Sequence, residues 1–277
     1  MRPRPLLLSA MLLALVLLIG NCQKADISFE ADAVTFSVSG RVLDKDNKPV
    51  SQAQVKAGTE SAFTDIDGYF RINNIRAPKD AAYVTVDKTG YFPGSRTFIA
   101  TSRAINFVDI RLIPKEVTGT FAAASGGLVN LTSGGSINFQ ANSIVDATTN
   151  SAYSGTVSVS SFFIDPSDAG FVSIMPGDLR GLNSANDERG LQSFGMMAVE
   201  LSNGAGQKLQ LASGKSATIS FPIPAGLRGS APATIPLWYF DEVKGLWKEE
   251  GSATRQGDAY VGTVSHFSFW NCDAPFP

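Results

Sequence analysis

The sequence contains few side chains that could act as a catalytic base or a soft metal ligand. Among its 277 residues there is one histidine, His266, and there are two cysteines, Cys22 and Cys272. Serine hydrolases commonly carry a Gly-x-Ser-x-Gly turn and many zinc hydrolases a His-Glu-x-x-His helix, and neither pattern occurs. Zinc sites usually draw on several imidazole or thiolate ligands. We therefore predict a structural role for His266, no catalytic residue, no bound metal and no cofactor.

Paired carboxylates leave a second route to catalysis open, because glycosidases need only two of them. The glycine-rich segment 165–195, which we predict to be a long loop, contains the candidate acids Asp165, Asp168, Asp178, Asp187 and Glu188. Acids on surface loops are ordinarily solvated. A hydrolase would require two of these acids to converge in one cleft.

Two acidic turns, at 44–47 and 65–68, have a partial likeness to calcium-binding loops. An EF-hand needs a bidentate acid at position twelve of its loop. Counting from Asp65, that position is Arg76, which has the wrong charge. The favoured interpretation is that the acidic side chains close the turns.

All three tryptophans, Trp238, Trp247 and Trp270, lie near the C-terminal end. Trp238 stands in an apolar run and is predicted to lie in the core. Trp247 lies close to Lys244 and Lys248, and we expect its ring to be exposed, which makes it the candidate ligand-binding residue for a sugar. The favoured interpretation of the whole set is that large aromatic side chains fill a core.

The first 21 residues have the pattern of a secretory signal rather than of folded structure. Arg2 and Arg4 precede an apolar run at 6–20, and a positive start with ~7–15 apolar residues is typical of a signal peptide. The run ends in LIGNC at 18–22, which resembles a loose, Bacteroidetes-type form of the bacterial lipoprotein lipobox. The resemblance implies cleavage before Cys22 and acylation of its thiol, with residues 22–33 as a tether. The alternative is an ordinary secretory signal followed by an incidental cysteine.

Composition excludes several classes of protein. Hydrophobic residues make up 44% of the chain and charged residues 17%, so it is not a disordered chain. The formal net charge is −2 and becomes −4 once Arg2 and Arg4 are removed with the signal, which argues against a nucleic-acid partner. If Cys22 is acylated, Cys272 has no disulfide partner in this chain.

Residues 34–114 have the pattern of a small β-sandwich. Strict alternation of apolar and polar residues begins at Val34, and about seven short strands follow with turns at roughly 8–12-residue spacing. The motifs VSGRVLD at 38–44, PVSQAQV at 49–55 and TDIDGYFRI at 64–72 resemble the carboxypeptidase regulatory-like family, a transthyretin-like sandwich. The resemblance implies a non-catalytic module of the kind found in metallocarboxypeptidases, outer-membrane receptors and surface lipoproteins.

Residues 115–277 have the pattern of a second, larger β-sandwich domain. Strands are predicted at 156–164 and 217–221, and a hairpin is predicted around Asn203-Gly204. Alternation at 266–270 predicts a strand that has the phenylalanines on one face and His266 and Trp270 on the other. The aromatic motifs LWYFD at 237–241 and HFSFW at 266–270 resemble modules of cartilage intermediate layer proteins, which implies an extracellular structural or interaction role.

The sequence thus predicts an all-β protein of two tandem β-sandwich domains after a lipoprotein signal peptide. We expect a non-enzymatic protein, lipid-anchored in the bacterial cell envelope and in the outer membrane, that presents a binding or scaffolding surface to a glycan or an envelope protein. Two alternatives stay open. One is a carbohydrate-binding accessory lipoprotein with an exposed Trp247 platform, and the other is a hydrolase that uses two loop carboxylates.

Overall fold

The structure is a computed structural model that describes residues 32–277. Among residues 32–277, strands take 57% and helix 3%, which confirms the predicted all-β class with β-sandwich domains. Cys22, the predicted signal at 1–21 and almost all of the predicted tether lie outside the described residues. Within residues 32–277 no helix is both long enough and apolar enough to cross a bilayer.

The first seven strands build the N-terminal sandwich. They are β1 Ala33–Asp44, β2 Gln54–Ala57, β3 Glu60–Phe63, β4 Tyr69–Pro78, β5 Ala82–Asp87, β6 Gly94–Phe98 and β7 Ile105–Leu112. One sheet has the order β4-β1-β7 and the other the order β3-β2-β5-β6. The predicted alternation is confirmed in β1, where Phe36, Val38 and Val42 point into the core that both sheets enclose.

The two acidic turns are closed by their own side chains, as predicted. The Asp44 carboxylate accepts hydrogen bonds from the backbone N–H groups of Asp46 and Lys48, each at 2.8 Å. The Asp65 carboxylate accepts from those of Asp67 and Tyr69 at 3.0 and 2.8 Å. Each carboxylate therefore satisfies backbone donors that the turn leaves free.

Thirteen further strands form one continuous sheet that folds around a second core. They are β8 Val117–Ala122, β9 Gly127–Asn130, β10 Ser136–Phe139, β11 Ile144–Asp146, β12 Thr156–Ile164, β13 Arg180–Leu182, β14 Glu188–Ser202, β15 Lys208–Leu211, β16 Ala217–Pro222, β17 Thr234–Asp241, β18 Leu246–Gln256, β19 Ala259–Val264 and β20 Phe269–Phe276. The predicted strand at 156–164 is β12, and the predicted hairpin pairs β14 with β15. The core of the first sandwich extends to Leu112 and the second core begins at Phe121. The domain boundary predicted at residue 114 stays a prediction.

Two details of the second domain differ from the sequence prediction. Segment 165–195 is not one long loop, because it contains a short helix, α1 (Phe171–Ile174), the strand β13 and the first half of β14. A bulge between Ser193 and Met196 interrupts the alternation of inward and outward side chains. A search for alternating apolar and polar residues therefore does not predict this strand. Residues 265–268 form a turn before β20 rather than a strand, and the Trp270 indole donates a hydrogen bond to the His266 carbonyl at 2.9 Å.

A third apolar cluster joins the two sandwiches. Phe92 and Ile113 of the N-terminal part pack there with Phe240, Trp247 and Phe269 of the second domain, among other buried side chains. The rings of Phe92 and Phe269 meet edge to face with centroids 6.2 Å apart. The cluster removes apolar surface of both domains from water, so the contact between them is itself stabilising.

We predict that Phe92→Ala weakens the whole protein and not only its own domain. Phe92 is 3% exposed, and truncating a buried phenylalanine to alanine costs about 3–5 kcal/mol. Phe63→Ala is the matched control, because Phe63 is 60% exposed and surface substitutions usually cost less than about 0.5 kcal/mol. Chemical denaturation of the full chain in detergent measures both changes. Equal effects of the two substitutions would contradict a buried joint.

Candidate functional site

An open cleft runs along the junction of the two domains. Its main part is a cavity of about 460 Å³ between β14, β15, β17 and the turn at 265–268. Two further cavities, of about 190 and 460 Å³, adjoin it along β5 and the segment after it, and all three share Pro93. A cleft of this size lies within the usual range for ligand sites, about 300–1,000 Å³.

Aromatic and charged side chains together line the main cavity. Tyr239 supplies a partly exposed ring, the buried rings of Phe92 and Phe240 lie in the wall, and Glu200 and Lys208 supply charge. Glu200 lies 3.4 Å from Lys208 and accepts two hydrogen bonds from the Lys115 ammonium at 2.9 and 3.0 Å. This bridge joins the start of the second domain to β14 and fixes the position of the carboxylate in the cleft wall.

Glu242 lies where the main cavity meets its neighbour. Desolvation by the cleft walls raises the pKa of its carboxyl group. The positive charge of Lys208 opposes this change, while the negative charges of Asp87 and Glu200 add to it. The cleft therefore holds a carboxyl group whose charge state responds to a neighbouring ligand charge.

His266 lies in the cleft wall without the geometry of a catalytic base. Its Nε2 is 3.6 Å from a Glu250 carboxylate oxygen, and the other oxygen of Glu250 accepts the Ser265 hydroxyl at 2.6 Å. A catalytic triad needs the histidine between the serine and the acid, but here the acid stands between them. Burial lowers the pKa of His266, and Glu250 opposes that shift. The ring packs edge to face against Tyr239 with centroids 4.8 Å apart.

The five candidate acids of segment 165–195 do not assemble a hydrolase site. Arg180 neutralises two of them, since its guanidinium lies 2.7 Å from Asp178 and 3.6 Å from Glu188. The cavity that those two acids share holds only about 40 Å³, which is room for about one water molecule. Asp187 pairs with Arg189 at 3.3 Å.

The two remaining acids lie at a turn. The Asp165 carboxylate accepts the backbone N–H and the hydroxyl of Ser167 at 2.8 and 2.6 Å. Asp168 is exposed, and its carbonyl accepts the backbone N–H of Phe171. Neither residue lines the interdomain cleft.

The prediction that Trp247 is exposed is wrong. The side chain is 0% exposed, its indole donates to the Asp178 carbonyl at 2.9 Å, and its ring packs on Phe240 with centroids 5.1 Å apart. It therefore cannot form a flat stacking platform for a sugar. Trp238 and Trp270 are also fully buried, in agreement with the core interpretation.

A buried polar cluster at the β14 bulge is a feature that the sequence does not reveal. The Ser193 hydroxyl donates to the Asn271 side-chain oxygen at 2.8 Å, and the Asn271 amide donates to one carboxyl oxygen of Asp273. The other oxygen of Asp273 has no hydrogen-bond partner although the residue is 0% exposed. Burial raises the pKa of Asp273 well above its ordinary value, so the protonated form is favoured in the folded protein.

Cys272 lies beside Asp273 in β20, and its thiol is shielded from reagents in solution. It is free and fully buried, and burial raises the pKa of its thiol well above the ordinary value. Reactive cysteines need an accessible thiolate. Cys22, the predicted lipidation site, lies outside the described residues.

No sequence motif predicts the cleft, because the residues that line it come from segments far apart in the chain. Only the folding of the chain brings together the lining residues, which share no motif and include Phe92, Glu200, Lys208, Glu242 and His266. Residues 32–277 also contain no cluster of three or more histidine, cysteine or acidic side chains that could hold a metal.

Comparison with known proteins identifies the N-terminal sandwich. Residues 37–113 match the model of the carboxypeptidase regulatory-like domain. The matched segment supplies the β5 and β6 side of the cleft, and the predicted resemblance of its three motifs to this family is confirmed.

Two curated relatives are cartilage intermediate layer proteins by name. Cartilage intermediate layer protein 2 of Mus musculus is 29% identical over 229 residues, which are 79% of this chain and 20% of that protein. The human protein of the same name is 32% identical over 108 residues, 39% of this chain and 9% of that protein. The chain thus spans a fifth or less of the length of these relatives. Neither the matched domain family nor these relatives belong to catalytic families.

A solved structure from Bacteroides uniformis ATCC 8492, described as that of a candidate carbohydrate-binding protein, also matches. The alignment covers 88% of this chain and 99% of that one, at 11% identity and a TM-score of 0.23.

We predict that Asp273→Asn stabilises the protein at neutral pH. A carboxyl group with a raised folded-state pKa stabilises most fully below its unfolded pKa, about 3.9, and that contribution is lost as pH rises towards the folded value. The amide of the variant cannot ionise. The free energy of unfolding of Asp273→Asn should therefore exceed that of the wild type by an amount that grows by up to about 1.4 kcal/mol per pH unit above pH 4. Denaturation of the full chain from pH 4 to 7 measures it.

Asp109→Asn is the matched control, because Asp109 is exposed. Its effect, measured over the same pH range, is the baseline for an exposed aspartate. An Asp273→Asn effect that stays constant from pH 4 to 7 would show that Asp273 is ionised in the folded protein.

Proposed function

We propose that this protein is a non-enzymatic, lipid-anchored protein of the bacterial cell envelope that binds a polar ligand in the cleft between its two sandwich domains. The observation that carries the proposal is the cleft itself. The partly exposed ring of Tyr239 and charged groups from Glu200, Lys208 and Glu242 converge there, as in other concave binding sites.

The chemistry of the cleft supports binding rather than turnover. The imidazole of His266 has an acid, and no hydroxyl, within reach among the described contacts. Glu200 is held by two lysines, so this carboxylate is part of a fixed set of paired charges in the cleft wall. A site of fixed, paired charges selects a ligand by complementary polarity.

The anchor in the proposal comes from the N-terminal sequence. The lipobox-like LIGNC at 18–22 supplies Cys22 as the acylated residue, and two or more acyl chains make anchoring stable. We propose that the acyl chains on Cys22 insert into the outer membrane. A glycan or an envelope protein is the ligand class to test first.

We predict that ligand binding depends on the rim of the cleft. The intact protein in detergent is applied to a glycan array and to an envelope-fraction pull-down. The double substitution Lys208→Gln with Glu242→Gln should weaken capture of the bound species about tenfold, equivalent to about 1.4 kcal/mol. Both side chains are exposed, so the fold should be unaffected.

Glu60→Gln with Lys215→Gln is the matched control, since both residues are exposed and lie outside the cleft. This control should bind as the wild type does. Capture that survives the cleft substitutions unchanged would place the ligand elsewhere on the molecule. Release of a cleaved glycan, detected by mass spectrometry, would restore the hydrolase alternative.

A further inference from the structure

The outer face of the sheet β4-β1-β7 carries large apolar side chains that nothing in the described part of the chain covers. Ile105 is 53% exposed and Phe107 is 61% exposed. They lie opposite Ser37 and Ser39 of β1 in the register of the parallel pair, so they stand side by side on one flat face. Scattered exposed apolar residues are ordinary, but a paired patch on an edge strand favours association.

This face belongs to the sheet opposite the ligand cleft, and the second domain reaches it only at the far end of β7, where α1 packs and Arg111 lies beside Gly170. Ser95, Arg96 and Thr97 of β6 contact the second domain, and β6 belongs to the opposite sheet of the sandwich. In residues 32–277, β7 pairs only with β1. The face and the ligand cleft therefore lie on different sides of the N-terminal sandwich.

Positive charge surrounds the apolar pair. Arg71 is paired with Ser39, Arg76 with Thr35, and the backbone of Arg103 donates to the Thr35 carbonyl at 2.8 Å. Asp109 is the acid on this face and lies opposite Arg41. Apolar side chains flanked by arginine are suited to an anionic phospholipid surface.

The length of chain between the anchor and the sandwich brings this face to the bilayer. Ten residues separate Cys22 from Ala33, where β1 begins, and ten residues can span at most about 35 Å. Ile105 is level with Ser37, four residues into β1, or about 13 Å from its start. An anchored chain therefore holds the patch at high effective concentration next to lipid.

We propose that the face formed by Ile105, Phe107 and the flanking arginines rests on the anionic phospholipid surface of the membrane that holds Cys22. This inference builds on the lipid anchor of the proposed function. It sets the orientation of the molecule, because the N-terminal sandwich then lies on the bilayer and the ligand cleft is turned away from it.

A site-specific fluorescent label tests the contact. Phe107→Cys in the full-length acylated protein receives an environment-sensitive dye, and Leu128→Cys, at a position that is 59% exposed on β9 of the second domain, is the matched control. Cys272 is fully buried and Cys22 is acylated in this protein, so each label is unique. The proteins are placed in vesicles of phosphatidylcholine and phosphatidylglycerol that contain a lipid-attached quencher.

The expected result is a blue shift and strong quenching at position 107, and neither change at position 128. Replacing the arginines in Arg71→Gln with Arg76→Gln should reduce the quenching at 107. Labels that stay in water at both positions of an acylated, vesicle-bound protein would overturn the membrane contact and leave the anchor intact.

Two other outcomes would also overturn it. A label at 107 that is shielded but unquenched, with cross-links between copies, would assign the face to a second copy of the chain. Absence of fatty acid on Cys22, measured by mass spectrometry, would remove the anchor and the membrane contact together.

Discussion

A charged guanidinium can be buried only where other groups accept hydrogen bonds from its N–H donors. Arg96 of β6 is buried in this way at the junction of the two domains. The residue is 9% exposed, and burial lowers its pKa to about 10. It donates to the Gly177 carbonyl at 2.9 Å and also to the Val172 carbonyl, both in the second domain. Separating the domains would leave these carbonyls and the guanidinium to find new partners, which makes the joint selective as well as stable.

The neighbours of Arg96 extend this joint along β6. Ser95 accepts the backbone N–H of Gly177 at 3.1 Å, and Thr97 donates to the Gly245 carbonyl at 2.5 Å. Both glycines are required: each has a positive φ, and an added Cβ would lie 2.5 Å from Phe240 at position 177 and 2.4 Å from Tyr83 at position 245. At Gly245 the backbone of the second domain thus approaches Tyr83 of the first sandwich more closely than a side chain would allow, whereas Gly177 makes room for Phe240 within the second domain.

The cleft is a consequence of this fixed joint. Its walls belong to two domains, so its shape depends on their relative position, and flexible tandem sandwiches would not keep it. The polar joint on β6 and the apolar cluster around Phe92, Phe240 and Trp247 hold that position together. A preorganised cleft loses less conformational freedom when a ligand binds.

The sequence predicted most of the strands and little of the site, for a physical reason. Strands such as β1 and β12 bury one face, and the period of two shows this directly. Trp247 was predicted to be exposed because lysines lie near it in sequence. Successive side chains of a strand point to opposite faces, however, so the side chain of Lys248 can reach water while the indole of Trp247 is buried. Trp247 lies across the β17–β18 hairpin from Phe240, a contact that exists only after the strands have paired. Arg96, a lone charge between two hydroxyl residues, has no pattern that marks it as buried.

The rigid joint is tested most directly by differential scanning calorimetry of the full-length protein in detergent. If Arg96 and the apolar cluster make one body of the two sandwiches, residues 32–277 melt in a single transition whose calorimetric and van't Hoff enthalpies agree. Two separate transitions, one for each sandwich, would show that the domains are independent and would contradict a cleft of fixed shape.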